Sequence, residues 1–372
     1  MESITFQCSN CGSYLRFDGE TQKWVCDYCD STFTQQEIEQ KGGEKREIDY
    51  DVKKSADVIL DKEDTIFHFN ENVEKNEKDN KNIQVYHCPS CGAEVLTDET
   101  TAATFCVFCQ NPTILPGKLS GSYRPSRILP FQTTKEDAKN AFLKFCKGKP
   151  LLPKGFTGEA RLEKITGMYV PFWVFNCHAD FTYQSTGENI FSWSDGNYNY
   201  TKTDLYRIFR QGQVDFEDIP VDASEKMNDD MMDALEPYHL GETKDFDMSY
   251  LSGFFAEKYT FQPKELFDRM TQRVEIGIQQ AARDTASYQF VHSGNCQNQF
   301  NSENQSYMLL PVWMLVSVYG NEKYLFAMNG QTGKIVGKLP YSKSKTILWF
   351  IGIFCITYLI VFLLIFFVGG MM

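Results

Sequence analysis

The chain has 372 residues, of which 42% are hydrophobic and 15% aromatic, with a formal net charge of -12 and 12 cysteines. This length predicts two or three domains, and the aromatic content excludes a wholly disordered chain. The acidic charge disfavours a general nucleic-acid-binding protein, because phosphate binding requires a basic surface. Residues 1–10 lack the basic and apolar segments of a signal peptide, so we interpret the cysteines as reduced, metal-binding thiolates.

Composition divides the chain into a series of segments. Residues 37–84 contain 23 charged residues in 48, which predicts a flexible linker, because so polar a segment buries too little apolar surface to offset its ordering entropy. The predicted organisation is a first cysteine unit (1–36), the linker (37–84), a second cysteine unit (85–118), a mixed α+β body (119–340) and an apolar terminal helix (347–368).

Four C-x-x-C pairs form two units, and in each unit 14 residues separate the two pairs. Two cysteines on a tight turn bind one ion together, and a short hairpin brings the second pair across to complete a tetrahedron. Gly12, directly after a pair, favours a left-handed turn that leaves backbone amides facing sulfur. We therefore predict two structural zinc ribbons holding two Zn²⁺ ions through Cys8, Cys11, Cys26, Cys29, Cys88, Cys91, Cys106 and Cys109.

The residues between the pairs predict a small β-hairpin in each ribbon. In the first unit the strands are Tyr14–Phe17 and Lys23–Val25, and in the second they are Ala93–Leu96 and Ala103–Phe105. A thiol oxidoreductase is the alternative, but such enzymes place one C-x-x-C pair at the start of a helix. Catalytic zinc is disfavoured as well, because four cysteines leave no ligand position for water.

The charge of the ribbons bears on what they contact. Residues 1–36 carry a net charge of -3 and residues 85–118 a net charge of -2. Neither unit therefore has the basic surface that phosphate binding requires, and protein contact or a purely structural role is favoured over nucleic-acid binding.

Residues 119–340 mix helical and strand-like periodicity and predict the α+β body. Helices are expected at 135–147 after an N-cap at Thr134, at 225–235 after Ser224, and at 262–286. Two pairs of short similar segments suggest an internal duplication. Strands are expected at 127–132, 168–182, 206–214, 307–319, 323–328 and 334–337.

Catalytic motifs are absent from the sequence. None of the five histidines lies in a recognised catalytic pattern, so we predict no enzymatic activity, no cofactor-binding residue and no small-molecule substrate. Cys146 and Cys177 are expected in the core. Cys296 lies in a polar stretch, 293–306, which predicts an exposed loop and leaves open whether this thiol is reactive or inert.

Residues 347–368 read ILWFIGIFCITYLIVFLLIFFV, without a charge or a proline. At 1.5 Å per residue this segment reaches about 33 Å, enough to cross a hydrocarbon layer of ~30 Å. It predicts a single-pass tail anchor in the cell membrane. Lys338, Lys343 and Lys345 precede it and no Lys or Arg follows, so the positive-inside rule predicts that the N-terminal bulk is cytoplasmic.

The order of the segments is typical of one family. The two cysteine units are followed by Tyr169–Trp173, Leu310–Trp313, the segment FAMNGQTGK at 326–334 and finally the terminal anchor. The chain resembles the YdjG-like zinc-ribbon membrane proteins of low-GC Gram-positive bacteria. The resemblance implies a non-enzymatic membrane anchor for cytoplasmic assemblies, with phage-shock-type or flotillin-type membrane-stress proteins as partners.

Three functions follow as hypotheses. The first is a zinc-binding membrane adaptor that recruits a cytoplasmic protein assembly to the inner face of the membrane. The second is a membrane-tethered regulator whose ribbons bind nucleic acid, which the acidic charge disfavours. The third is an unrecognised hydrolase or redox enzyme, which the lack of a catalytic motif disfavours.

Overall fold

The computed structural model describes residues 4–41, 44–45, 84–88, 94–106, 111–120, 123–158, 162–319 and 322–369. Within them the chain is a mixed α+β protein, as the sequence predicts, and most of its strands form one large sheet. The helices are α1 (Gln35–Lys41), α2 (Lys135–Cys146), α3 (Asp229–Leu235), α4 (Phe267–Asp284) and α5 (Lys343–Gly369).

The strands fall into short N-terminal ones and long ones in the body. The first nine are β1 (Ile4–Thr5), β2 (Arg16–Asp18), β3 (Lys23–Val25), β4 (Thr32–Phe33), β5 (Glu44–Lys45), β6 (Gln84–His87), β7 (Glu94–Thr97), β8 (Thr101–Phe105) and β9 (Pro112–Ile114). The others are β10 (Arg127–Ile128), β11 (Thr166–Ser194), β12 (Asn199–Asp222), β13 (Lys244–Asp245), β14 (Phe255–Glu257), β15 (Phe290–Val291), β16 (Asn295–Tyr319), β17 (Glu322–Asn329) and β18 (Ile335–Gly337).

The large sheet has the strand order β13-β10-β16-β11-β14-β8-β9-β1-β5, with β12 and β15 on β11, β17 on β16, and β18 on β17. It thus joins the body to strands of both cysteine units. Helix α1 crosses the expected boundary at residues 36 and 37, and β5, inside the expected linker, pairs with β1. Residues 46–83 of that linker lie outside the described residues.

The central strand β16 is buried on both faces where it crosses the body. Leu309 and Trp313 belong to one hydrophobic cluster, whereas Leu310 and Val312 belong to a second cluster on the opposite face. This alternation follows from the two-residue period of a strand. Helices α2 and α4 contribute to the first cluster and α3 to the second, which explains why the stretch around 307–315 is apolar throughout.

Beyond this core, three strands continue as an extended arm. Strands β11 and β12 form one hairpin whose register runs from Phe172 opposite Asp222 to Ser194 opposite Asn199, and β16 pairs along β11 as far as Asn295. Helix α4 packs on the arm through residues one turn apart, namely Met270, Val274, Ile278 and Ala282.

Several predicted elements are confirmed, and their local signals are visible in the structure. Thr134 caps α2 in a capping box with Asp137. The predicted helix 262–286 is a 3₁₀ turn, Pro263–Leu266, followed by α4. The predicted strand pair at 307–328 and its continuation into β18 are also present.

Three predictions are wrong in detail. The predicted helix 225–235 begins only at Asp229, because the Ser224 hydroxyl donates to Glu257 (3.0 Å) and Asn228 caps the helix instead. Strand β7 pairs with β6, and β8 pairs with β9 and β14, so the expected hairpin between residues 93–96 and 103–105 is replaced by other ladders.

The third concerns the polar stretch 293–306, predicted as an exposed loop. From Asn295 onward it is part of β16, paired with β11. Cys296 is half-buried there, its thiol donates to Asn298 Oδ1 (3.1 Å), and burial raises its pKa, so the hypothesis of a reactive exposed thiol loses its basis. Cys146 and Cys177 are buried, as predicted.

Helix α5 carries the predicted apolar segment. Residues 343–362 form a helix long and apolar enough to cross a membrane, and none of this stretch is buried against the rest of the described chain.

Candidate metal centre

The structure brings together four of the eight predicted cysteine ligands. The Sγ atoms of Cys8, Cys11, Cys26 and Cys29 all lie within 4.8 Å of one another. The pair Cys8–Cys29 is separated by 3.6 Å and the pair Cys11–Cys26 by 3.5 Å. Both distances are far longer than a disulfide bond of about 2.05 Å, so the thiols are free.

Two turns of the same construction hold these thiols. In the first, the Cys8 N–H donates to Ser13 O (2.6 Å) and the Gly12 N–H donates to Cys8 O (2.8 Å). In the second, the Cys26 N–H donates to Ser31 O (2.9 Å) and the Asp30 N–H donates to Cys26 O (2.9 Å). Each turn therefore closes on itself and directs both its cysteines to one side.

The turns need a left-handed residue directly after their second cysteine. Gly12 has φ +76° and Asp30 has φ +57°. Glycine adopts this conformation without steric cost, and aspartate is among the few other residues that tolerate it. The role of Gly12 is confirmed. The equivalent role of Asp30 was missed, although its position after Cys29 matches that of Gly12 after Cys11.

Polar groups surround the sulfur atoms and link the two turns. The Asn10 N–H lies 3.4 Å from Cys8 Sγ, and the Ser31 hydroxyl lies 3.2 Å from Cys29 Sγ. Asn10 Nδ2 also donates to Ser31 Oγ (2.9 Å), which joins one turn to the other. Hydrogen bonds of this kind orient thiolate ligands and reduce their charge. Asn10 and Ser31 were not singled out from the sequence.

Proximity changes the acidity of the exposed thiols. The pKa of Cys29 is lowered to about 6, first by the hydrogen bond with the Ser31 hydroxyl and then by the Ser31 backbone. For Cys11 the Ser13 backbone lowers the pKa, but burial and hydrogen bonds with the other three thiols outweigh it and raise the pKa to about 12. The hydrogen bonds among these thiols thus move the pKa values of Cys11 and Cys29 in opposite directions.

The geometry fits a tetrahedral metal ion. Zinc–sulfur bonds of about 2.3 Å imply sulfur–sulfur distances of about 3.8 Å around a tetrahedron. The distances of 3.6 Å (Cys8–Cys29) and 3.5 Å (Cys11–Cys26) are close to this value, and all four sulfurs lie within 4.8 Å of one another. Cys8 and Cys26 are buried, and Cys11 and Cys29 are exposed. Four close cysteines are therefore able to hold one metal ion, and the donor set is consistent with zinc.

The hairpin between the two turns is confirmed, and it packs on the body. Strands β2 and β3 pair through Phe17 and Trp24, whose rings contact Tyr250 at centroid distances of 5.1 and 5.2 Å. The buried Trp24 Nε1 donates to Ser249 O (2.9 Å), and the Phe17 N–H donates to Ser252 O (3.0 Å). The four-cysteine cluster thus lies next to a hairpin that is fixed to the body.

Only part of the second cysteine unit is described. Cys88 and Cys106 are buried, whereas Cys91 and Cys109 lie outside the described residues. The Cys106 N–H donates to the carbonyl of Asn111, five residues later, at 2.9 Å. This is the same contact that Cys8 makes with Ser13 and Cys26 with Ser31 in the first unit.

These features define a class of protein: a mixed α+β chain with a four-cysteine centre near its N-terminus and a C-terminal helix able to cross a membrane. The chain is 37% identical over 368 residues to the uncharacterized protein YdjG of Bacillus subtilis (strain 168), with 99% of both chains covered. It therefore belongs to the YdjG family, so the relationship to YdjG expected from the sequence is confirmed, whereas the zinc-ribbon and membrane-anchor description of that family stays a prediction. No protein-family model and no solved structure matches the chain.

Proposed function

We propose that this protein is a non-enzymatic, zinc-binding membrane adaptor that holds a cytoplasmic protein assembly at the inner face of the cell membrane. The observation that carries the proposal is the presence of two exposed apolar features, which the strand pairing directs toward opposite ends of β16. One is the apolar helix α5, and the other is the aromatic tip of the arm.

Four aromatic side chains at the arm tip are exposed to solvent. Phe191, Trp193, Tyr198 and Tyr200 are 50%, 54%, 69% and 40% exposed. Trp193 stacks on Tyr200 across the hairpin, with ring centroids 5.6 Å apart. Contiguous exposed aromatic groups are typical of protein–protein contact sites.

Topology directs the tip away from the anchor. The arm leaves the body at the Asn295 end of β16. Strand β17 folds back along β16 from the Tyr319 end, and β18 then runs toward the Tyr319 end again before α5 begins. From Phe172 to Ser194 the hairpin extends 22 residues, or about 70 Å of strand. An adaptor with this geometry presents its tip to the cytoplasm, where a soluble assembly is accessible.

The zinc sites have a structural role in this proposal. The first centre is a closed set of four sulfurs, which leaves no ligand position for substrate or water. We propose a second zinc ion at Cys88, Cys91, Cys106 and Cys109, supported by the repeated spacing and by the Cys106–Asn111 contact. Metal analysis of the purified protein is expected to give two zinc ions per chain, and one after substitution of Cys106 and Cys109 by serine.

The adaptor proposal is tested by crosslinking in cells from the arm tip. A photoreactive amino acid in place of Tyr198 is expected to capture the same cytoplasmic protein in repeated experiments. The Phe191→Ser, Trp193→Ser and Tyr200→Ser substitutions together are expected to abolish the capture, because they remove the aromatic contact surface while the hairpin hydrogen bonds stay available.

The matched control changes polar residues on the same hairpin. Ser192 pairs with Thr201, and Thr203 pairs with Ile190, so by the two-residue period of a strand these side chains lie on the face opposite Phe191, Trp193 and Tyr200. The substitutions Ser192→Ala, Thr201→Ala and Thr203→Ala are expected to leave the capture intact. If no protein is captured reproducibly, or if both sets of substitutions reduce the capture equally, the arm tip is not the recruiting surface and the adaptor proposal fails.

A further inference from the structure

Lysines are distributed very unevenly over this acidic protein. Residues 142–158 contain Lys144, Lys147, Lys149 and Lys154, and residues 335–346 contain Lys338, Lys343 and Lys345; neither range contains Asp or Glu. The whole chain has 37 Lys and Arg and 49 Asp and Glu, so the residues outside these two ranges have 30 basic and 49 acidic side chains, a net charge of -19. We call the two ranges together the basic pole.

Hydrogen bonds join the two ranges of the basic pole. The Ser342 N–H donates to Leu151 O (2.8 Å), and Lys345 Nζ donates to Leu152 O (2.6 Å). Lys345 is half-buried by this contact, while the other six lysines are exposed. In the described part of the chain the lysines that form ion pairs are different ones, namely Lys135, Lys139, Lys202, Lys226 and Lys258.

Among the described residues, the carboxylate of Glu322 lies near this region on a neighbouring element. Phe156, inside the first range, contacts the rings of Tyr319 and Tyr324 at the β16–β17 end. There the Tyr324 hydroxyl donates to Glu322 Oε2 (2.7 Å), and Lys323 follows directly in the chain. The adjacent Glu322 and Lys323 offset each other, so the seven lysines remain a net positive surface.

The basic pole lies where α5 begins. Lys343 precedes the first apolar residue, Ile347, by four residues, or about 6 Å of helix. That is within the screening length of about 8 Å at physiological salt. The hydrogen bonds that Leu151 O and Leu152 O accept from residues 342 and 345 hold the range 142–158 beside the start of α5. Tyr341, 62% exposed between the lysines, is a residue type enriched at membrane interfaces.

We propose that the basic pole binds the anionic phospholipid headgroups of the inner leaflet, as a membrane contact in addition to α5. Charge complementarity carries this inference: the surface is positive, the rest of the chain is strongly negative, and cytoplasmic leaflets are negative. The inference rests on the membrane anchorage proposed above. The inference also predicts how the protein is oriented: when the basic pole lies against the bilayer, the arm points away from it.

The full-length protein in lipid nanodiscs tests the contact. Discs of phosphatidylcholine alone are compared with discs that also contain phosphatidylglycerol, and lysine acetylation is followed by mass spectrometry. Lys144, Lys147, Lys149 and Lys154 are expected to react about fivefold more slowly in the anionic discs, and high salt is expected to remove the difference. Lys202 on the arm and Lys264 on the body, both exposed, serve as internal controls and are expected to react equally in both.

The outcomes separate this inference from the anchorage itself. Extraction of the native membranes at alkaline pH tests the anchor: a protein released by this treatment overturns both proposals. A protein that stays in the membrane but shows equal lysine reactivity in both kinds of disc overturns the headgroup contact alone. Stronger protection by added duplex DNA than by phosphatidylglycerol also overturns it, in favour of nucleic acid.

Discussion

Replacing Trp24 by alanine is expected to weaken metal binding in the first cysteine unit, although Trp24 supplies no ligand atom. Its side chain is 1% exposed, contacts the rings of Phe17 and Tyr250, and donates a hydrogen bond to Ser249 O. Truncation of a buried aromatic residue costs about 4 kcal/mol. Because metal binding and folding are coupled in small metal-binding units, most of this loss should appear in the metal affinity, as a decrease of about 1,000-fold.

The measurement is competition for cobalt or zinc between the full-length protein and a chromogenic chelator. Tyr28→Ala is the matched control, because Tyr28 lies between two of the cysteines and is 81% exposed. It is expected to change the affinity by no more than about twofold. If Trp24→Ala binds the metal as tightly as the unaltered protein, the ribbon folds without its contact to the body and the coupling argument is refuted.

Three further predictions use other features of the structure. Gly12→Ala is expected to reduce metal affinity through strain of about 1 kcal/mol at φ +76°, whereas Asp30→Gly, at φ +57°, should preserve or raise it in the same chelator assay; the reverse order would contradict the turn geometry. Burial raises the pKa of Asp222 to about 6, above its unfolded value of about 3.9, so its stabilising contribution is complete below about pH 4 and lost as the pH rises through 6. Denaturant unfolding should therefore show a loss of up to about 3 kcal/mol over this window that is absent in Asp222→Asn; equal pH profiles would exclude Asp222 as the titrating group. Removal of all residues after Lys345 should move the protein from the membrane fraction to the soluble fraction, and a truncated protein that still sediments with membranes would show that another segment anchors it.

The parts of the fold that could be predicted depend on local interactions. The first cysteine cluster follows from C-x-x-C spacing and a hairpin of a few residues, and α2 follows from Thr134 and the apolar face behind it. In both, the residues that fix the structure are close in sequence. The apolar segment of α5 could be predicted for the same reason, because it follows from one uninterrupted run of apolar residues in the sequence.

The parts that could not be predicted depend on distant partners. Trp24 and its acceptor Ser249 are 225 residues apart, and no pattern near either residue indicates the contact. The segment 295–306 is rich in Asn, Gln and Ser, which have low strand propensity, yet it forms β16 because β11 provides a continuous ladder beside it. Ser224 is a further example of a distant partner, since its hydroxyl donates to Glu257 instead of capping a helix.

The first cysteine cluster is connected to the large sheet through the segment on which its hairpin packs. The ribbon packs on the segment Met248–Leu251, which leads directly into β14. Strand β14 pairs in parallel with the start of β11, through Met168 and Tyr169, and antiparallel with β8 of the second cysteine unit. The first cysteine unit is therefore connected through β14 to β11, one of the strands that form the arm. Because of this connection, we expect loss of a metal ion bound at the four cysteines to loosen the contact of the hairpin with Met248–Leu251 and, with it, the packing at the start of β11.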